Sequence, residues 1–231
     1  FSAQSPEEML ATLQQAITAD FPSLPDCNVT VKYINAAMED YLSPAFYLTS
    51  PLDQLTENTI YINQKNGYEG IRLFTTLAHE GFPGHMYQYA YMYENVESNY
   101  IKALSNISAY TEGYAVYAQY EALSYLDEVD QTLLDAATLL ALNQSALLSL
   151  YASTDIGIHY DGWSVEEFKE FMESKGFSLD DESIRTQYAQ LQANPAAFEP
   201  YYVGYHEIIN MKEDAQQALG SRFHEKEFHT A

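Results

Sequence analysis

The chain has 231 residues, 47% hydrophobic and 19% charged, with ten Lys and Arg against 33 Asp and Glu for a formal charge of -23. This composition fits one globular domain with a sizeable core, and it speaks against nucleic-acid and anionic-membrane partners, which are both bound largely through Lys and Arg. The single cysteine, Cys27, excludes an intrachain disulfide and reads as a small buried hydrophobe, and no run of 18 or more apolar residues marks a membrane span, so a soluble chain is expected.

The chain begins at Phe1 with no signal peptide, which reads as a processed protein or a fragment of a longer one. SPEEMLATLQQAITADF places Ser5 three residues before Glu8, with Pro6 just after the serine, and predicts a helix over about 6–20. NVTVKYI (28–34) and NTIYINQ (58–64) are short and rich in β-branched and aromatic residues, so they read as two strands. LSPAFYLTSPLDQL between them reads as irregular. From EGIRLFTTLAHE onward the pattern is helical almost to the end. Ile71, Phe74, Leu77 and Ala78 share an apolar helix face that carries His79 and Glu80 at its C-terminal end. Further helices are predicted over about 97–126 and 131–153. Another lies in SVEEFKEFMESKG, with a capping box at Ser164 and Glu167 and a stop at Gly176, and a last one covers about 201–219, closed by Gly220. With no repeat, low-complexity tract or linker, residues 1–231 read as one mainly helical α+β domain with a small sheet near the N-terminus.

HEGFPGH, residues 79–85, poses the chemical question. It opens with a His and a Glu, as zinc peptidase motifs do, but the second His follows the first by six residues, with Pro83 and Gly84 between them. On an unbroken helix a six-residue step turns through about 240°, against about 40° for a four-residue step. Pro83 has no amide hydrogen and disfavours helical geometry at Phe82, while Gly84 accepts backbone angles that other residues resist. A bulge absorbing two residues would return His85 to the side of His79, and the proline and glycine would then be requirements of the site. Catalytic zinc takes three protein ligands and keeps a fourth position for water. No cysteine is close, so the third ligand is a carboxylate or another histidine. Glu112 is the sole acid in the small and aromatic segment from Ile107 to Gln119, where a carboxylate needs a partner to be buried, and Gly113 beside it lets a neighbouring backbone approach closely. Glu94, Glu97 and Glu121 are rivals in more polar stretches that read as solvated faces. A lone histidine in such a domain is more often packed or solvated than a ligand, so the pair gains force only from the third ligand.

LAHEGFPGHMYQ, TEGYAVYAQ, DIGIHYDGWS and PYYVG, with FH near the end, resemble the successive signature blocks of the bacterial domain of unknown function 885 family. Members of that family read approximately HEAxPGHxxQ, EGWAxYxE, DxGxHxxGW and sYxxG. The blocks run from Leu77 to His229, about two thirds of the chain, and their order and content are far more specific than any one block. The resemblance implies a zincin-like metallopeptidase, distantly similar to oligopeptidases that carry HEFGH and a Tyr-rich oxyanion loop. It implies His79, His85 and Glu112 as ligands of one Zn²⁺ and Glu80 as general base. Gly81 stands where the family has Ala, Tyr114 where it has Trp, and Gln119 where it has an acid; none of these removes a ligand. Members are commonly longer, so the chain reads as the C-terminal catalytic part of a longer protein.

The likeness also points to Tyr201 in FEPYYVGYH, ahead of Tyr202, as a donor to the developing oxyanion, and to His159 in DIGIHYDGW as a substrate or oxyanion contact. On residue chemistry alone, any one of 21 Tyr is more often packing, and His159 serves as a helix C-terminal cap. Asp155 one turn earlier could orient a ligand His. Arg185 reads as a carboxylate grip or a surface ion pair, His224 as solvated, and His229 has no assigned role. The whole predicts a zinc-dependent peptide hydrolase in which metal-activated water loses its proton to Glu80, which passes it to the leaving amine, while the metal and Tyr201 hold the oxyanion. A zinc amidase or esterase is one alternative, and a non-catalytic helical binding module is the other. A peptide is the expected partner, and the acidic balance favours cationic ones.

Overall fold

The computed structural model describes residues 4–24, 27–51, 53–66, 69–95, 97, 107–126 and 131–231. Helix α1 (Pro6–Ala16) opens on the expected capping box, with Glu8 N donating to Ser5 Oγ and Ser5 N to Glu8 Oε2, and it buries Met9, Leu10 and Leu13. It ends four residues earlier than the pattern predicts. The Thr18 hydroxyl donates to the Gln15 carbonyl at 2.7 Å and competes with the helical ladder there.

Three strands follow, β1 (Asn28–Tyr33), β2 (Ala45–Leu48) and β3 (Glu57–Ile62), in the order β1-β3-β2. β1 runs parallel to β3 from Asn28↔Glu57 to Tyr33↔Ile62, and β2 antiparallel from Ala45↔Ile62 to Leu48↔Thr59. β2 corrects the reading of its segment as irregular: four residues between Pro44 and Pro51 carry too little alternation to announce an edge strand. β3 turns Asn58, Ile60 and Ile62 inward, and the buried Asn58 accepts from the hydroxyls of Tyr47 and Ser50. Cys27 is half-buried rather than buried. Its sulfur accepts from Asn58 Nδ2, and burial, with the charge of Glu57 adding, pushes the thiol up to about 11.

The rest is helical: α2 (Gly70–Glu80), α3 (His85–Asn95), α4 (Ser108–Glu121) with a 3₁₀ turn over Ala122–Leu126, α5 (Gln131–His159), α6 (Val165–Ser174), α7 (Asp181–Ala193), α8 (Glu199–Leu219) and α9 (Glu225–Phe228). The chain is thus α+β and mainly α. Of the helix expected over 97–126, residues 98–106 lie outside the described residues. α5 runs six residues past its expected end, and α6 carries both bonds of its Ser164–Glu167 capping box. One core gathers α1, the sheet, α2, α3, the 3₁₀ turn and the start of α5. A second, with Leu150, Ile158, Phe168, Met172, Ile184 and Leu191, joins the end of α5 to α6 and α7. Among the described residues α5 is also the helix long and apolar enough to cross a membrane by length and composition. Its polar residues are used within the fold: Gln144 accepts from Gln119, and Asp155 holds the loop before α8.

α4 and α8 cross backbone to backbone at Gly113 and Gly204. A Cβ on Gly113 would sit 2.3 Å from the Gly204 carbonyl carbon, and one on Gly204 would sit 2.1 Å from the Ala109 oxygen. Only glycine allows that approach, and it sets Glu112 of α4 beside Tyr201 of α8.

Candidate metal centre

α2 closes normally, with Gly81 N donating to the Leu77 carbonyl at 2.8 Å. The next bonds span six residues instead of four: Gly84 N to Ala78 O at 2.9 Å and Tyr87 N to Gly81 O at 3.2 Å. Each ring holds two residues more than an α-helical one, which is the absorption that the His79–His85 spacing requires. The Phe82–Pro83 peptide bond is cis. At Gly84 a Cβ would lie 1.8 Å from the His79 carbonyl oxygen, so no other residue fits the return. The helix resumes at His85, whose ring stands edge-on to that of His79, centroids 4.8 Å apart at 88°.

Glu112 reaches the pair from α4. Its Oε2 lies 3.2 Å from His85 Nε2 and 3.6 Å from His79 Nε2, and the three ligand atoms all fall within 4.8 Å of one another. A tetrahedral zinc with ligands at about 2.0–2.2 Å sets its donor atoms about 3.3 Å apart. Oε2 is buried and, despite these approaches, has no hydrogen-bond partner among the described residues; His85 Nδ1 is buried and unpartnered too. Burial opposes the charge on Glu112, but the two imidazoles outweigh it and hold the carboxyl down at about 2. For His79, burial would lower the pKa, but Glu112, Glu80 and the Gln119 side chain together raise it. An ionised carboxylate facing two imidazole nitrogens is a donor set that a divalent cation completes. Among the rivals, Glu121 pairs with Lys212, and Glu94 and Glu97 are exposed.

Glu80 and Tyr201 flank this cluster. Tyr47 N, on β2, donates to Glu80 Oε2 at 2.9 Å, so the edge strand that the sequence hid fixes the carboxylate next to His79. The Tyr201 ring lies 6.5 Å from that of His79, nearly parallel. Burial, followed by the charge of Glu112 and a hydrogen bond to it, raises the Tyr201 pKa and keeps the phenol a neutral donor. Gln119, in the position where the family pattern has an acid, is buried, lines the cleft with His79, and donates to Gln144 Oε1 at 2.8 Å. It lies seven residues, two helical turns, after Glu112, and that spacing is the signal that could have found it. All these groups open onto a cleft of about 890 Å³, whose walls include Arg72, Phe46, Leu140, Leu147 and Phe198.

Other expected residues lie elsewhere. His159 does not line the cleft; its Nδ1 lies 2.9 Å from Asp155 Oδ1 and its Nε2 3.3 Å from the Gln192 carbonyl. Asp155 holds no ligand histidine; it accepts from Ala196 N at 3.0 Å and so pins the loop from which Ala197 and Phe198 enter the cleft wall. Tyr202 packs against His206, Arg185 is exposed on α7, and His224 is exposed. His229, unassigned from sequence, stacks on Phe21 at 3.8 Å and bridges the Tyr117 hydroxyl and the Asp20 carbonyl.

Compared with known proteins, residues 4–231 match the family model described as "Bacterial protein of unknown function (DUF885)". No curated protein matches the sequence. Among solved structures it is similar to a "putative lipoprotein" from Colwellia psychrerythraea, with a TM-score of 0.81 and 22% identity over 97% of this chain and 38% of that one. It is also similar to a "putative lipoprotein of unknown function" from Shewanella oneidensis, with a TM-score of 0.74 and 20% identity over 97% of this chain and 41% of that one. At such identities the likeness is one of fold. The chain spans about two fifths of the length of these proteins, which it covers to 38% and 41%.

Proposed function

The chain belongs to DUF885, a family of bacterial proteins of unknown function, and on that premise we propose that it is a zinc-dependent peptide hydrolase. The observation that carries this reading is the meeting of two imidazole Nε2 atoms with a buried, unpartnered carboxylate oxygen on a cleft wall that also bears Glu80 and Tyr201. His79, His85 and Glu112 would hold the ion. When bound, zinc polarises a carbonyl and brings the pKa of its water near neutral.

The chain's own residues supply the rest. Glu80 has one oxygen committed to Tyr47 N, which leaves the other to accept a proton from the attacking water and hand it to the leaving amine. Amide cleavage needs that second transfer more than ester cleavage does, because an amine leaves only once protonated. Tyr201, kept protonated by burial and the Glu112 charge, donates toward the carbonyl oxygen as it gains charge. Gln119, braced by Gln144 and lining the cleft with His79, would orient that ring from behind the ion.

Two measurements test the proposal. Purified protein dialysed against zinc should retain one equivalent by elemental analysis and lose it in His85→Ala; well under one equivalent in the unaltered chain refutes the metal centre. A panel of peptides set against matched esters and simple amides should show preference for peptides, and exclusive ester turnover would move the assignment to an esterase.

A further inference from the structure

In a chain with 33 acids, one wall of the cleft carries a cation that pairs with none of the described residues. Arg72 lies on α2 with Thr75, Thr76 and His79, at the spacing that puts residues on one helix face, and all four line the cleft. Among the described residues lining it, Arg72 is the only Lys or Arg. Among the described residues it makes no ion pair, a state it shares with Lys32, Lys175, Arg185, Arg222 and Lys226, but those five lie outside the cleft lining. Neither acid that shares the cleft pairs with Arg72: Glu80 accepts from Tyr47 N, and Glu112 faces the two histidines. The hydroxyls of Thr75 and Thr76 both donate to the Arg72 main-chain carbonyl, and among the described residues no hydrogen bond or ion pair involves its exposed guanidinium.

Resting on the hydrolase reading above, we infer that Arg72 anchors a carboxylate of the substrate, so that the enzyme selects peptides bearing a carboxylate close to the bond it cuts. A guanidinium meets a carboxylate through two parallel hydrogen bonds, a geometry that lysine cannot reproduce. Seven residues of helix separate Arg72 from His79 by about 10 Å. That distance is the length of about three extended residues, so the carboxylate belongs within three residues of the scissile bond. It is supplied by the free C-terminus of a short peptide or by an Asp or Glu side chain. The acidic exterior favours cationic peptides at long range, while the cleft itself prefers an anion at this one point.

The test measures binding separately from turnover. Zinc-loaded Glu80→Gln protein, with and without Arg72→Gln, is titrated calorimetrically with one tetrapeptide as its free acid, as its C-terminal amide, and as an amide containing Glu. The free acid should bind at least about tenfold tighter than the amide, and Arg72→Gln should erase the difference while leaving amide binding unchanged. Arg72→Lys should recover part of it. Tight binding of the Glu-containing amide assigns the side chain as the source; its absence assigns the C-terminus. In the enzyme with Glu80 intact, Arg72→Gln should raise KM for the free acid and leave kcat unchanged. Equal binding of acid and amide, an equal loss for both in Arg72→Gln, or no binding of any peptide overturns the anchor. Peptide turnover indifferent to the carboxylate would remove the anchor and keep the hydrolase. Arg72-dependent binding with no turnover of any peptide would do the reverse.

Discussion

The crossing of α4 and α8 has a charged cluster at each end, and the two are built oppositely. At one end Glu112 and Tyr201 meet His79 and His85; at the other, Tyr117 and Glu121 meet Lys212, with Glu225 and His229 arriving from the last turns of the chain. The far end carries its own cation. Lys212 Nζ sits 3.0 Å from Tyr117, Glu121 and Glu225 alike, and both ring nitrogens of His229 are engaged. Glu112 Oε2 and Glu225 Oε2, one at each end, are both buried without a hydrogen bond among the described residues, but Glu225 has the Lys212 ammonium at 3.0 Å while Glu112 faces the two imidazoles. A buried cluster with a cation built in fastens a fold, whereas two imidazoles and a carboxylate converging without Lys or Arg form a donor set open to a cation from outside. By this contrast one end is a clasp and the other a socket.

The contrast can be broken in several ways. The largest effect should come at the socket: Glu80→Gln is expected to lower peptide turnover by about 10²- to 10⁴-fold with zinc content unchanged, and an undiminished rate would take the base role from Glu80. Next is the clasp. Lys212→Ala leaves Glu121 and Glu225 facing each other and should cost about 3–5 kcal/mol in urea unfolding, with zinc content per folded molecule untouched. A loss below about 1 kcal/mol, the range of surface pairs, would show that the cluster does not fasten the chain. A smaller effect is expected from Gln119→Ala, which should weaken zinc about 10- to 100-fold in chelator competition while barely moving the stability of the metal-free protein. Gln119→Glu, which restores the family's acid, should keep the affinity.

The smallest effect separates the two ends by pH. Burial, the leading cause, lowers the His229 pKa, so the unfolded chain takes up the proton first. Its contribution is complete above the ordinary histidine value of about 6.5 and is lost as the pH falls below it. Glu112, depressed to about 2, stabilises the metal-free fold above the ordinary carboxylate value and loses that contribution only as the pH falls toward about 2. Thermal midpoints across mild acid should therefore fall less in His229→Gln than in the unaltered chain. An identical decline in both would clear His229 of the effect.

What the sequence disclosed followed from whether a residue's role is local. Ser5 with Glu8 and Ser164 with Glu167 announced helix starts because both partners of each bond lie within one turn. Pro83 and Gly84 announced the return of His85 for the same reason, and Glu112 stood out because its neighbours gave a carboxylate no reason to be there. β2 stayed hidden because its order comes from β3, far along the chain, and because its prolines read as breaks. Gln119 and Arg72 stayed hidden because a glutamine and an exposed arginine acquire meaning only from what the cleft sets opposite them. His159 shows the converse: a residue prominent in a motif belongs, in space, to a clamp on the loop before α8.

The return between the two imidazoles is counted out by main-chain bonds that bridge six residues. Adding or deleting one residue there would swing the second ring through about 100° and carry it away from His79 and Glu112, whatever the side chains. Natural variation in this stretch, Gly84 apart, is therefore expected as replacement and not as a change of length. A one-codon deletion between positions 81 and 84 should give a protein that still folds elsewhere but has lost its metal, a sharper lesion than any exchange of Phe82 or Gly81.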